Sequence, residues 1–383
     1  MNLVGFVQAL LINIGAISGL NNPQYMVTPV GFLQMLLENP TTLQISNLAQ
    51  IQSGQDKSLK VRYQQRGLES QATDVDDCET PITAEWKETD ITRPLFSKIG
   101  IFISDADMRK YQDEATQTQT AGTPAAPLMM GLYETIVIKV NALVQKMNSN
   151  LLSAQATKFG KNIAYGDANA HTLNFGNIPR MSDGIVKMML DYQMNEAVGS
   201  PLIVGNGAIQ AFTTLQSLKT GLDNNGFGAA NLKVYNDLGS ISKWGANHFG
   251  IFAPGLVGLV DFNKNVGTYA GVKGGSIFFT IPVPVQLANG TLSTLTFDAQ
   301  LKYHDCPVYD TNNTLVADRG WGITLSKPYG LFNAPADMFA ATDRLSGFNG
   351  ALHYIGAVES DTINANIVNT AAAPVNTKEV PAT

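Results

Sequence analysis

MMGLYETIVIKVNALVQKMNSNLLSAQATKF, residues 129–159, is the stretch that decides the fold. Its apolar residues recur at steps of three and four, which places them on one face of a helix. At 1.5 Å per residue, such a helix is roughly 45 Å long. We therefore predict a long amphipathic helix that serves as a spine for other elements. The apolar row consists of Leu132, Ile136, Val140, Leu143, Met147, Leu151 and Ala154.

A charge-segregated segment, residues 57–98, precedes this helix in a chain that is otherwise poor in charge. Only 15% of the 383 residues are charged, whereas about 25% is typical of a globular protein. A basic cluster comes first, an acidic cluster follows, and weak strand signals accompany them. Because a lone hairpin is marginal in water, we predict a projecting two-stranded hairpin that lies on another surface. The residues expected to contact that surface are Lys60, Arg62, Arg66, Asp74, Asp76, Asp77, Glu79 and Trp86.

The bulk composition limits the classes of function. The length allows two or three packed units with real cores. The net charge is −6, and the sequence shows no basic stripe of the kind that coats the phosphates of duplex DNA. The two cysteines, Cys78 and Cys306, have neither a metal-binding nor a redox spacing. Two reduced thiols are the favoured interpretation, with a disulfide as the alternative.

The first twenty residues are largely apolar. They lack the basic region of a signal peptide, and Gln8 and Asn13 interrupt the run. The run is barely long enough to span a bilayer. A helix docked on its own body or on a neighbouring subunit is favoured over a membrane or export role.

Shorter elements surround the long helix. A short helix is predicted at Gly31 to Leu37, and another begins at Ser104, where Asp107 completes a capping-box-like pattern. After the long helix, Ser182 or Asp183 can cap a further helix, short strands are predicted at 201–205 and 248–252, and a helix is predicted at 208–218. A hairpin is predicted for 276–303, because Asn289-Gly290 joins two alternating runs. Pro282 and Pro284 make its first strand an edge or bulged strand.

The chemistry-bearing motifs are weak. The signatures of zinc peptidases, serine hydrolases and nucleotide-binding loops are missing, and Gly205-Asn206-Gly207 is favoured as a tight turn. The cluster His304-Asp305-Cys306 would need a third partner, such as Cys78 or Asp310, for catalysis or metal binding. The acidic cluster lacks the spacing of an EF-hand, so a solvated edge is favoured over a calcium site. We predict no catalytic, cofactor-binding or metal-ligating residue. The remaining histidines are isolated in the sequence and are predicted to be satisfied polar residues: His171, His248 and His353.

The order of these elements resembles the major capsid protein of tailed bacteriophages, the Hong Kong 97-type fold that encapsulin shells share. FSKIGIFISDADMRKYQDEA (96–115) is similar to the strand and helix that enter the P-domain. SPLIVGNGAIQAFTTL (200–215) and FAPGLVGLVDFN (252–263) are similar to A-domain elements. The resemblance is architectural and covers nearly the whole chain.

This resemblance implies an α+β fold with named parts. They are an N-terminal arm (1–56), an extended E-loop hairpin (57–98), a P-domain (99–181) with its spine helix (129–159), an A-domain (182–270), the return strands of the P-domain with the remaining A-domain (271–360) and a C-terminal tail (361–383).

It also implies a structural protein rather than an enzyme. The E-loop would lie over a neighbouring subunit, so the contact residues named above would lie at contacts between subunits. Copies would form hexamers and pentamers that close an icosahedral virion capsid around double-stranded DNA, without sequence-specific binding or a membrane. Assembly would take place in the host cytoplasm with a portal protein, and scaffolding or decoration proteins are further candidate partners. The alternatives are an encapsulin-like compartment, a β-rich secreted hydrolase or binding protein, and another virion part such as a tail or decoration protein.

Overall fold

The computed structural model describes residues 27–53, 55–56, 58–64, 86–92, 95–110, 130–174, 181–197, 199–206, 209, 233–265, 271–287, 290–309, 311–317, 319–335, 338 and 347–357. Helices and strands both contribute to its cores, as expected for an α+β chain. A short helical segment is also present at 105–110. The named helices are α1 (Gly31–Glu38), α2 (Leu48–Gln52), α3 (Met130–Ala156), α4 (Met181–Met194) and α5 (Gly239–Lys243).

The predicted spine helix is confirmed as α3, which has 27 residues and a length of roughly 40 Å. Its apolar row is buried from Ile136 to Leu151. Ile136, Val140 and Leu143 are at most 3% exposed, and Met147 and Leu151 are fully buried. This face packs against a large antiparallel sheet and against α1 and α5. The helix therefore organises the main hydrophobic core.

The strands of the large sheet are β4 (Leu95–Ser104), β9 (Val257–Asp261), β10 (Gly271–Lys273), β11 (Ser276–Gln286), β12 (Leu292–His304) and β15 (Gly320–Asn333). They lie in the order β10–β11–β12–β15–β4, and β9 pairs with the C-terminal part of β15. The predicted hairpin is confirmed, since β11 pairs with β12 along its whole length. Pro282 and Pro284 lie on an edge portion of β11, beyond the segment that pairs with β10. Two further short strands, β13 (Val308–Tyr309) and β14 (Leu315–Ala317), pair with each other.

A second sheet belongs to a mixed α/β lobe. Its strands, in spatial order, are β5 (His171–Asn174), β16 (Ala351–Ala357), β8 (His248–Phe252), β6 (Leu202–Gly205) and β7 (Lys233–Asn236). The inner pairs are antiparallel and the outer pairs are parallel. Helix α4 packs on this lobe through Met188 and Tyr192. It begins at Met181, so the prediction of a cap at Ser182 or Asp183 is wrong.

The charged segment contains the predicted hairpin strands. They are β2 (Ser58–Gln64) and β3 (Trp86–Thr92), which pair antiparallel from Ser58↔Thr92 to Gln64↔Trp86. A short strand β1 (Gln44–Ile45) pairs with Val61 and Arg62 of β2 and adds a third strand to the hairpin. The acidic cluster and the predicted helix at 208–218 fall outside the described residues, except for Ile209.

Helix α1 is confirmed where a short helix was predicted, but it lies in the main core. Phe32 and Leu33 are fully buried, although the sequence analysis placed them in an arm. The buried carboxylate of Asp237 accepts hydrogen bonds from the Phe32 backbone N–H (2.9 Å) and the Asn148 side-chain amide (2.8 Å). The Asn148 carbonyl oxygen accepts one from the Leu33 N–H (2.8 Å). These bonds satisfy the first turn of α1 and tie it to α3 and to the end of β7.

Ser104 marks the end of β4 and the start of the helical segment at 105–110. The Asp107 N–H donates to the Ser104 hydroxyl oxygen (3.0 Å), as expected for a cap. The same hydroxyl donates to the Asp107 carboxylate (2.7 Å) and lowers the pKa of that carboxyl. The predicted capping pattern is therefore confirmed.

Candidate assembly surfaces

The hairpin of β2 and β3 has one buried and one exposed face. Leu59, Val61 and Ile91 pack with Val260 and Phe332 in a hydrophobic cluster of their own. Because side chains alternate along a strand, the residues between them point away from this cluster. The hairpin is thus anchored by its inner face, and its outer face is available to another surface.

The outer face of the hairpin carries three of the predicted contact residues. Arg62 lies 3.8 Å from Glu88, measured from Nε to Oε1, and its guanidinium stands 5.6 Å from the ring centroid of Trp86. Lys60 lies cross-strand from Asp90. Arg62 therefore has partners within its own hairpin, and an exposed ion pair of this kind contributes about 0–1 kcal/mol. Trp86 is 51% exposed and presents a large apolar area.

The remaining predicted contact residues belong to the segment between the two strands. This segment, residues 65–85, lies outside the described residues. The contact assignments for these residues stay predictions. They are Arg66, Asp74, Asp76, Asp77 and Glu79.

An exposed apolar row on α4 was missed by the sequence analysis. Val186, Leu190 and Met194 are 40%, 53% and 57% exposed and lie four residues apart. Such a row lies on one face of a helix, separate from the buried Met188 and Tyr192. The spacing of four residues between Val186, Leu190 and Met194 was a sequence signal for this row. A helix that also carries a second apolar row is easily interpreted as buried on both of its apolar faces. A contiguous exposed apolar row is typical of an interaction surface.

Other large apolar side chains are exposed on separate elements. Ile138 on α3 is 63% exposed, and Tyr309 and Leu315 on the β13–β14 pair are 55% and 51% exposed. Single exposed apolar residues are normal in soluble proteins. Their distribution over α3, α4, β3 and the β13–β14 pair nevertheless puts apolar area on several elements.

The three histidines that are isolated in the sequence have partners in space, and they are satisfied polar residues as predicted. His171 Nε2 lies 2.7 Å from Asp167 Oδ1, and its ring stacks on Tyr165. His248 Nδ1 and His353 Nε2 lie 2.9 Å apart. Burial and the neighbouring His248 lower the pKa of His353 to about 4, and burial also lowers the pKa of His248. Both rings are therefore neutral near pH 7.

A buried polar network holds the lobe together. The Tyr354 hydroxyl donates to the Asp191 carboxylate (3.1 Å) and accepts from the Asn162 amide (2.9 Å). The Asn195 amide donates to the Asn162 carbonyl oxygen (3.0 Å). Burial raises the pKa of the Asp191 carboxyl, against the lowering effect of the Tyr354 hydrogen bond. These groups satisfy one another, which is the usual arrangement of buried polar side chains.

The reactive cluster of the sequence analysis is at the surface. Cys306 is exposed, and its Sγ donates to Asp305 Oδ1 at 3.6 Å. Cys78 and Asp310, its candidate partners, lie outside the described residues. Among the residues that are described, no group of three histidine, cysteine or acidic side chains is arranged to hold a metal ion. In the same part of the chain, no helix is long and apolar enough to cross a membrane.

Comparison with known proteins gives structural matches alone. No family model matches the sequence, and no curated protein matches it. The capsid structure of the cyanophage P-SCSP1u matches with 10% identity and a TM-score of 0.39, over 87% of this chain and 90% of that chain. The capsid asymmetric unit of cyanophage A-1(L) matches with 14% identity and a TM-score of 0.43, over 84% and 93%.

A third match is the asymmetric unit of the mature capsid of bacteriophage PhiM1. It has 9% identity and a TM-score of 0.35, over 79% of this chain and 83% of that chain. All three are phage capsid structures, the class that the sequence resemblance indicated. The identities and TM-scores describe a distant likeness.

Proposed function

We propose that the chain is the major capsid protein of a tailed phage. In this proposal, copies assemble as hexamers and pentamers into an icosahedral shell that encloses double-stranded DNA. The protein is structural, without catalytic residues. It resides in the virion capsid after assembly in the host cytoplasm, with a portal protein and with scaffolding or decoration proteins as candidate partners.

The arrangement of the elements carries the proposal. A 27-residue helix packs on an antiparallel sheet. A β-hairpin precedes that helix in the chain, and a mixed α/β lobe follows it. This is the order in which an E-loop, a P-domain with its spine helix and an A-domain occur in the capsid fold that the sequence resembles. An enzyme would need convergent polar groups, whereas the polar clusters described above are engaged with one another.

The exposed apolar area supports assembly in particular. Trp86 on the hairpin and Leu190 on α4 lie on different elements, and each is more than half exposed. A standard protein interface buries about 1,600 Å², and a shell subunit takes part in several interfaces. Apolar area on several elements is what such a subunit requires.

The charge of the chain fits an enclosed genome that is not bound tightly. The net charge of −6 disfavours strong binding of phosphates by the whole surface. A shell of such subunits leaves DNA free to enter and leave.

Sedimentation velocity of the purified full chain tests assembly. A single copy has a mass of 41.1 kDa. We expect a fast-sedimenting species of narrow distribution, formed above a threshold concentration, because closed shells assemble cooperatively. A chain that sediments as a monomer or small oligomer at every concentration would contradict the proposal and favour a binding protein or hydrolase.

A further inference from the structure

A cleft of about 430 Å³ lies at the root of the hairpin. Most of its walls come from three places that are far apart in sequence: Thr89 to Ile91 on β3, Thr157 to Lys161 after α3, and Leu331 to Pro335 at the end of β15. Its volume falls within the roughly 300–1,000 Å³ typical of ligand pockets. The cleft therefore has room for several side chains of an incoming segment.

Lys158 supplies a partly buried positive charge in this cleft. Among the described residues, its ammonium donates one hydrogen bond, to the carbonyl oxygen of Leu331 at 3.3 Å. Burial lowers its pKa, because desolvation disfavours the charged form. Lys161 is exposed and lines the same cleft. Asp90 also lines it, but that side chain is exposed and lies cross-strand from Lys60.

Asn333, which lines the cleft, and its hydrogen-bond partner Gln155 leave side-chain hydrogen-bonding capacity unused. The Asn333 amide nitrogen donates to the Gln155 carbonyl oxygen at 3.0 Å. Within the described part of the chain, Gln155 Nε2 and Asn333 Oδ1 are buried without a partner. If the oxygen and nitrogen positions of both side-chain amides are exchanged, the pair still has one unused donor and one unused acceptor. Such groups cost free energy unless a partner satisfies them.

We propose that this cleft receives the acidic run, residues 74–79, of a second copy of the chain, with one of its carboxylates bound to the Lys158 ammonium. The backbone of the incoming run offers an N–H group that suits the unused side-chain oxygen of Asn333, which lines the cleft. This inference rests on the proposed assembly and adds to it a specific contact between copies.

Charge and reach single out this occupant. Residues 74–79 hold four carboxylates and form the densest acidic run of the sequence. The run lies near the middle of residues 65–85, which join Gln64 to Trp86, and about ten extended residues span roughly 30 Å. Strands β2 and β3 lead from the cleft towards Gln64 and Trp86, away from the root of the same hairpin. To reach the cleft of its own copy, the run would have to turn back along these strands, whereas the cleft of a neighbour requires no such reversal.

Fluorescence anisotropy with a labelled peptide tests this contact. The peptide has the sequence of residues 71–82 with serine at position 78, and a second peptide carries Asn or Gln at its four acidic positions. The receptor is the full chain with its own run neutralised by Asp74→Asn, Asp76→Asn, Asp77→Asn and Glu79→Gln, at a concentration where it sediments as single copies. Lys158→Met in this receptor removes the charge at nearly constant length. Lys146→Met, at an exposed position on α3, is the matched control.

We expect the acidic peptide to bind the receptor, and the neutral peptide to bind at least tenfold more weakly. Lys158→Met should weaken binding by at least tenfold, and Lys146→Met should leave it unchanged. Equal binding by both lysine variants, or by both peptides, would overturn the inference. The peptide comparison needs no change in the cleft, so it remains decisive if Lys158→Met does not fold.

The same peptide-binding experiment on single copies with the native residues 74–79 shows whether the acidic run in the cleft comes from the same chain or from a second copy. Unimpaired peptide binding by these copies supports a contact from a second chain. Binding at least tenfold weaker than that of the neutralised receptor would mean that the chain's own run fills the cleft, and the inference would be wrong. Closed particles from a chain that binds no peptide would overturn this contact and leave the proposed assembly intact.

Discussion

The carboxylate of Asp237 occupies the space that a side chain at Gly31 would need. Gly31 has a φ of +58°, and a Cβ atom built there would collide with the carboxylate and Cβ of Asp237. This close approach lets Asp237 accept the N–H of Phe32 at the start of α1. A glycine in one segment and an aspartate about two hundred residues later thus fix the buried helix α1 against the lobe.

Gly31→Ala is expected to destabilise the chain strongly. A non-glycine residue at this φ costs about 1–2 kcal/mol, and displacing the buried carboxylate leaves unsatisfied groups that cost about 1–3 kcal/mol more. Denaturant unfolding of the unassembled chain measures the loss. Gly274→Ala is the matched control, because Gly274 has a φ of +54° and, apart from its chain neighbours, no described residue lies within 4 Å of the added Cβ. Equal losses in the two variants would refute the role assigned to Asp237.

The stability of the chain should fall as the pH is lowered from about 6.5 to about 4. The pKa of His353 in the folded chain is about 4, against 6.5 for an ordinary histidine. Between these values the unfolded chain binds a proton that the folded chain does not, so the free energy of unfolding decreases with falling pH. The maximal slope for one proton is about 1.4 kcal/mol per pH unit.

The variant His353→Phe isolates this contribution. It keeps an aromatic ring against Phe159, on which His353 stacks. We expect a shallower loss of stability between pH 6.5 and 4, while the lowered pKa of His248 keeps part of the slope. Chemical denaturation at several pH values measures it. The raised pKa of Asp191 acts in the opposite direction in both proteins, so the difference between them reports on His353. Identical slopes would count against a neutral buried imidazole.

Shortening the hairpin should abolish closed particles without unfolding the body. Gln64 and Trp86 are cross-strand partners, so residues 65–85 can be replaced by Asn-Gly, which suits a two-residue turn. The anchoring residues Leu59, Val61 and Ile91 are retained. We expect an unchanged midpoint of thermal unfolding and no closed particles in electron micrographs.

A linker of equal length made of Gly and Ser serves as the comparison for this deletion. If assembly depends on the sequence of residues 65–85, the linker variant also fails to close. Normal particles from the two-residue version would show that the segment is dispensable and that its assignment as an E-loop is wrong.

Leu190→Glu should impair assembly while preserving the fold. Leu190 is 53% exposed at the centre of the apolar row on α4, so the change alters none of the fully buried core residues. A charge placed in an interface loses its hydration and disfavours association. Gln193→Glu, also exposed on α4, is the control for added charge. We expect unchanged thermal stability for both variants and a higher assembly threshold for Leu190→Glu alone. Equal thresholds would exclude this row from the interfaces.

The elements that the sequence predicted well are those whose apolar residues recur at a regular spacing over a short stretch of chain. The row from Ile136 to Leu151 predicts α3 because each buried residue lies one turn from the next. The β11–β12 hairpin follows from alternation around Asn289-Gly290. Both patterns need no knowledge of distant residues.

Long-range contacts escaped the sequence analysis. His248 and His353 lie 105 residues apart, and nothing near either one indicates its partner. The burial of α1 depends on Asn148 and Asp237, which reach it from two other elements. Lys158 has the sequence context of an ordinary lysine after a helix, and the carbonyl of Leu331 that holds it comes from β15. Tertiary packing determines these sites, and periodicity carries no information about it.

Negative-stain electron microscopy of the purified full chain, with nuclease protection on the same fraction, tests the central claim most directly. We predict closed shells of uniform diameter, and protected double-stranded DNA in shells isolated with their genome. Closed shells that hold a co-purified protein instead of DNA would favour an encapsulin-like compartment. A monodisperse monomer or small oligomer without shells would contradict the capsid assignment.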